Sequence, residues 1–272
     1  MDALRKLFGV KKKQPEHTYD EAQTQPLDAL ALARALNAEG RRHVAVGAFN
    51  YAHDASAFGS DAHCILVGNS DGLNALPDFA VFGVAEAAQG EAEVSRSALY
   101  GFAHHLIAGA ILDLLAVDGG AEARSFERVV EQGFAHTAEV MAQRHPGSDW
   151  SMSAGMMFAD IIVIGLKGKI EPYYINQSRI GTLKSNGQVF SDPAGDEVQI
   201  LSQPVPRDGY LFIGTQGLFQ AISSETIRRT VLESANPQAA CDAIKAKVEE
   251  QAQVQRATAV LFHYPLDFDA WR

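Results

Sequence analysis

Residues 79–95 read FAVFGVAEAAQGEAEVS. Phe79 to Ala85 is apolar throughout, the pattern of a strand buried on both faces rather than on one. The chain then passes Glu86, runs through alanines and a Gln-Gly turn, and enters an acidic helix start. A carboxylate at the end of a buried strand is well placed to meet a cation. Glu86 stands there with alanines at 85, 87 and 88, so the question is whether this strand end holds a working site or an emptied one.

On the N-terminal side, HVAVGAFNYA (43–52) and HCILVG (63–68) are further short apolar runs punctuated by Gly, Asn and Asp, and read as strands. Downstream, helical spacing predicts two long helices over about 91–117 and 121–144. GMMFADIIVIGLKG (155–168) and KIEPYYINQ (169–177) are expected to be adjacent antiparallel strands joined at Lys167-Gly168-Lys169. Asn186-Gly187 predicts a tight hairpin. GYLFIGTQGLFQAIS (209–223) reads as a buried strand that ends at a glycine turn and enters a helix. Helices over 224–234 and 237–252 follow, and ATAVLFHY (257–264) closes the domain as a strand. Runs of strands, then helices, then strands and helices again give an α+β class with sheets packed on each other and helices outside.

The 272 residues suffice for one large domain and a sizeable core, and 47% apolar content is that of a globular protein. A formal charge of -10 argues against nucleic acid as a partner. No apolar run reaches the roughly 18 residues of a membrane span. Cys64 and Cys241 are far apart with no metal-type spacing, which reads as buried thiols in a reducing cytoplasm.

The domain organisation expected is a basic and polar tail with a short helix over 1–40, a folded domain over 41–266 and a C-terminal tail over 267–272. The opening MDALRKLFGVKKK is either a short amphipathic segment that touches an anionic membrane surface or another protein, or a solvated basic tail. Thr24 lies in a polar linker with a proline two residues on, and is a possible phosphosite.

Several segments, in this order and at these separations, resemble the metal-dependent Ser/Thr protein phosphatases of the PPM type, over about residues 43–264. The resemblance implies a four-layer αββα sandwich, two antiparallel sheets flanked by helices. It implies strand-end carboxylates holding two manganese or magnesium ions roughly 3.5 to 4 Å apart that activate a water. Such hard cations need several anionic oxygen ligands.

Matched position by position, GSDA at 59–62 resembles the family's first acidic motif. It keeps Asp61 and has Ser60 in the place of a glutamate, and about Ser56 falls where the family has a phosphate-gripping arginine. AEAAQGE at 85–91 resembles the Ala-Asp-Gly-Met-Gly-Gly-His motif. Glu86 stands for the bridging aspartate, Ala87 for a glycine that lends its carbonyl, and Glu91 for the histidine. GMM at 155–157 resembles a Gly-Thr-Thr strand start. NQSR at 176–179 resembles a Gly-Asp-Ser-Arg turn with Gln177 for the aspartate. TQGL at 215–218 resembles Ser-Asp-Gly-Leu with Gln216 for a metal-ligand aspartate, and Gln220 replaces the acid that follows. In RATAV at 256–260, Arg256 stands at the final metal aspartate.

The residues that shape the turns are kept and the charges are lost. Arginine at a metal position repels a cation at any reachable pH. Asp61 and Glu86 together balance one divalent ion at best, so the site reads as emptied, with no catalytic residue and at most one weak manganese or magnesium site. Arg256 either forms an ion pair with Glu86 that replaces metal in the old cleft, or points to solvent. Three functions follow from the resemblance. The favoured one is a pseudophosphatase, a cytoplasmic protein-binding scaffold or regulator whose partner is a Ser/Thr kinase or its target. The second is a phosphoserine/phosphothreonine phosphatase with a weakened metal site, and the third is a phosphoprotein reader. His104 and His105 are expected to point in different directions, and Asp160 to lie at a sheet edge or pair with a neighbour.

Overall fold

The computed structural model describes residues 44–53, 60–68, 79–88, 91–110, 123–158, 161–185, 188–189, 197–204 and 209–263. The N-terminal tail with its expected helix, Thr24, Ser56, Asp160 and the tail over 267–272 lie outside the described residues.

The strands are β1 (Ala45–Ala52), β2 (Asp61–Gly68), β3 (Phe79–Ala87), β4 (Trp150–Phe158), β5 (Ile161–Lys167), β6 (Pro172–Ile175), β7 (Ile180–Thr182), β8 (Lys184–Ser185), β9 (Gln188–Val189), β10 (Gln199–Pro204), β11 (Tyr210–Gly214) and β12 (Arg256–His263). They form two five-stranded antiparallel sheets. One has the order β1-β12-β11-β6-β7 and the other β10-β5-β4-β3-β2, with β8-β9 as a separate pair.

Side-chain alternation explains how both faces of each sheet are buried. On β3, Ala80, Phe82 and Val84 join the core between the sheets, while Val81, Ala85 and Ala87 join the core under the first two helices. Phe82 meets Phe262 of β12 with ring centroids 4.8 Å apart. Burying a side chain of this size contributes about 2 kcal/mol.

Helices α1 (Ala92–His105), which continues as a π-helical turn over Leu106–Ala110, and α2 (Ala123–Arg144) cover the β2–β5 sheet. They meet edge-on through Phe102 and Phe134, 5.3 Å between centroids. Helices α3 (Gln216–Ala221), α4 (Ser224–Glu233) and α5 (Pro237–Glu249) cover the other sheet. Ser223 caps α4 by accepting from the Thr226 N–H, and Asn236 caps α5 by accepting from the Ala239 N–H, with Pro237 at the first helical position. The result is four layers, helix, sheet, sheet, helix, as the α+β expectation has it.

Two local expectations need correction. Residues 155–168 do not form one strand. β4 ends at Phe158 and pairs with β5 as a hairpin, Phe158 opposite Ile161 and Met152 opposite Lys167. The Lys167-Gly168-Lys169 turn is therefore no hairpin but the crossover that takes the chain from β5 to β6 in the other sheet. Gly168 has φ +78° and lies against Ser151, a conformation and a space that only glycine accepts. Gly155 is also not a strand start. It sits mid-β4, opposite Phe82, where the Val163 carbonyl leaves no room for a Cβ. Asn186-Gly187 itself lies outside the described residues; on either side of it, Lys184 pairs with Val189 and Ser185 with Gln188.

Candidate functional site

Four strand ends come together where the two sheets open. β2 begins at Asp61, β3 ends just past Glu86, β11 ends at Gly214 and β12 begins at Arg256. Asp61 is directly opposite Glu86 in the ladder, so both carboxylates share the face turned toward the other sheet. In that other sheet, Arg256, Thr258, Val260 and Phe262 share one face by the same alternation, and the last two lie in the core between the sheets. Arg256 thus projects across the gap.

Asp61 is 4% exposed. The Arg256 Nε lies 3.1 Å from its Oδ1, with the arginine side chain 22% exposed. The contact is one of charge rather than an aligned hydrogen bond: neither Asp61 oxygen nor the Arg256 Nη1 has a well-formed hydrogen-bond partner. Burial pushes the Asp61 carboxyl up from the ordinary 3.8 to about 7. The Arg256 charge pulls it back in part, the neighbouring Glu86 raises it again, and the Thr215 hydroxyl lowers it.

Glu86 does not form the ion pair with Arg256 that the sequence reading offered. Its Oε2 accepts a 3.1 Å hydrogen bond from the backbone N–H of Gln216, at the first turn of α3. The ion pair of Arg256 is with Asp61 instead. The reason is geometric: Asp61 and Glu86 are neighbours on one face, and the offset between the two sheets decides which of them the arginine meets.

Gln216 contributes its backbone here, while its side chain is exposed. Gly217 is required beside it, because a Cβ at that position would collide with the Arg256 carbonyl oxygen. Beneath the ion pair lies a polar layer that the sequence reading missed. Thr215 is fully buried; its N–H donates to the Thr258 carbonyl (2.9 Å) and its hydroxyl oxygen accepts from the Thr258 N–H (3.0 Å). The Thr258 hydroxyl in turn contacts Asn50 Oδ1, across the β1–β12 pair. The signal available in the sequence was the polar residue repeating at alternate positions, Arg256 then Thr258, at the start of an otherwise apolar strand.

The remaining candidates take structural places. Ser60 is fully buried, and its carbonyl accepts from the Ala87 N–H (2.8 Å) and from the Ser95 hydroxyl (2.6 Å), which ties the start of β2 to the end of β3 and to α1. Ala87 turns its side chain into the core under α1 and α2, away from the gap. Gln177 is not at the site. Its turn, 176–179, connects β6 to β7 beside Ile175, which pairs with Tyr210 at the opposite end of β11 from Thr215. At roughly 3.3 Å per residue, that places it about 15 Å or more away. There Asn176 Oδ1 accepts from the N–H groups of Ser178 and Arg179, and Arg228 donates to the Gln177 carbonyl at 2.7 Å. The sequence match was misled by a turn of the right composition following the wrong strand; the chain reaches the gap earlier, at Lys167-Gly168-Lys169.

The histidines follow the expectation of different directions: His104 stacks on Tyr100, and His105 on His136 of α2. Among the described residues, no three His, Cys, Asp or Glu side chains are grouped so as to hold a metal ion. Among the described residues, the carboxylates at these strand ends are Asp61, which faces a guanidinium, and Glu86, which accepts from a backbone N–H. Among the described residues, no helix is long and apolar enough to cross a membrane.

A two-sheet sandwich flanked by helices, with the candidate site where strand ends of both sheets meet, is the fold of the PPM-type Ser/Thr phosphatases. No protein-family model and no curated protein matches the chain. Solved structures do. The serine/threonine phosphatase PstP/Ppp of Mycobacterium tuberculosis superposes with a TM-score of 0.59 at 12% identity, over 82% of this chain and 99% of that one. Its catalytic domain has also been solved in complex with two manganese ions. A bacterial serine phosphatase gives a TM-score of 0.63 at 12% identity, over 83% and 99% of the two chains. The PPM Ser-Thr phosphatase MsPP of Mycobacterium smegmatis, solved in complex with cacodylate, gives 0.57 at 13% identity, over 80% and 97%. At these identities the likeness is one of fold.

Proposed function

We propose that this chain is a catalytically inactive relative of the PPM-type phosphatases, a pseudophosphatase that uses the fold as a protein-binding scaffold or regulator in Ser/Thr phosphorylation signalling in the cytoplasm. One observation carries the reading: a permanently charged guanidinium lies 3.1 Å from the buried carboxylate that best matches a metal ligand. A divalent ion brought to Asp61 would have to displace that cation or share the pocket with it. The other carboxylate matched to a metal-ligand aspartate, Glu86, accepts from the Gln216 N–H. Without a metal-activated water, the step that supplies most of the rate is lost. The partner class that suits the fold is a Ser/Thr kinase or the kinase's target. No cofactor belongs to this reading.

Calorimetric titration of chelator-stripped protein with manganese and then magnesium, together with a phosphopeptide hydrolysis assay, tests it. The expected result is no binding up to millimolar metal and no turnover. Two ions bound at micromolar affinity with phosphate release would replace this reading with that of a phosphatase having an atypical metal site.

A further inference from the structure

The contacts at the strand ends do something that a pair of metal ions also does. Ligands drawn from both sheets around a metal pair pull the sheets together at the open end. Here two protein contacts cross the same gap. Arg256, the first residue of β12, reaches Asp61, the first residue of β2 in the opposite sheet. The Gln216 N–H, just beyond β11, reaches Glu86 near the end of β3. The backbone of each partner is placed by its own sheet. Arg256 pairs opposite Ala52, with Gly217 packed against its carbonyl. Glu86 is fixed between Asp61 and Ser151 in the ladder.

We infer that Arg256–Asp61 and Gln216–Glu86 form a two-point clasp that closes the sandwich at this end in place of divalent metal, with Arg256 as the built-in cation. The inference rests on the reading of the site as emptied, and deepens it: the arginine both excludes the metal and takes over its mechanical role. The burial supports this assignment. An aspartate 4% exposed is strongly destabilising when left charged and unpaired, and a fixed cation from the other sheet offsets that. Thr215, Thr258 and Asn50 continue the polar contact inward, so the arginine stands on a built polar layer and not on bare apolar core. It follows that the stability of the fold is indifferent to divalent ions in the natural chain. A third carboxylate at position 256 would make it metal-dependent.

Thermal unfolding of the full chain at pH 8, where Asp61 is ionised, in chelator and in excess manganese chloride, tests the clasp with five proteins: wild type, Arg256→Met, Asp61→Asn, the double variant Arg256→Met/Asp61→Asn, and Arg256→Asp. Wild type is expected to melt at the same temperature with and without manganese. The two neutral single variants each melt lower, since each leaves one charge in the gap without its partner. The double variant lies well above the sum of their losses, a coupling of roughly tenfold in the folded-to-unfolded ratio. Arg256→Asp melts lowest in chelator and is raised by manganese, since an ion at a hundred times its Kd multiplies that ratio about a hundredfold. If Arg256→Asp does not fold in chelator, the neutral cycle decides alone. Additive losses in that cycle, with a metal-indifferent wild type, overturn the clasp and leave the inactive reading standing. A wild type whose melting temperature rises with manganese and which hydrolyses phosphopeptide overturns the inactive reading itself.

Discussion

Replacing Asp61 with asparagine removes a carboxyl that the fold holds in an unfavourable charge state. Burial raises this group from 3.8 in the unfolded chain to about 7 in the folded protein, against the pull of Arg256. Between these two values the folded state binds a proton that the unfolded state has released, so stability falls as pH rises. The favourable contribution is fully present below about pH 4 and lost once pH passes about 7. A difference of about three pH units at 1.36 kcal/mol each gives about 4 kcal/mol across the window. The asparagine side chain keeps the shape without the titration. The assay is urea unfolding followed by tryptophan fluorescence at half-unit steps from pH 4 to 8, for wild type and Asp61→Asn. Subtracting one stability from the other cancels the titration of all other carboxylates. The wild-type stability relative to the variant is expected to fall by about 4 kcal/mol from pH 4 to pH 7 and then level off. A difference that stays flat within about 1 kcal/mol, or that grows with pH, would show that Asp61 is solvated or fully neutralised by Arg256, and would refute the burial argument.

Two further outcomes are expected. Gly217→Ala forces a Cβ against the Arg256 carbonyl oxygen, so either α3 or the start of β12 must shift; urea unfolding should show a loss of about 1–3 kcal/mol, and an unchanged midpoint would mean that the turn is loose. Cys241 is fully buried and its thiol is pushed up to about 12, so it should not react with Ellman's reagent within minutes at pH 8 in the native protein but should in urea, whereas the sequence expectation of a second buried thiol is corrected at Cys64, which is half-buried; rapid native labelling of Cys241 would contradict its burial.

The class of fold and most of its elements were legible in the chain alone. Apolar runs such as FAVFGVA can be buried on both faces only between another sheet and a helix layer, and the Ser223 and Asn236 signals act locally, through cap chemistry that needs no distant partner. Asp61, Glu86, Gln216 and Arg256 could likewise be placed at strand ends, because each stands where an apolar run begins or stops. Which of them meet is a matter of packing between elements. The sequence pattern treated 155–168 as one strand, although its two halves pair with each other as β4 and β5; separately, the resemblance of NQSR to a family turn carried Gln177 to a site that the antiparallel register of β6 and β11 puts at the far end of the sheet. Arg256 had two acids within reach in the pattern. It faces Asp61 because the choice depends on the offset between two sheets joined by no ladder, a quantity set by the packing of Phe82 against Phe262 and their neighbours and written in no local stretch of the chain.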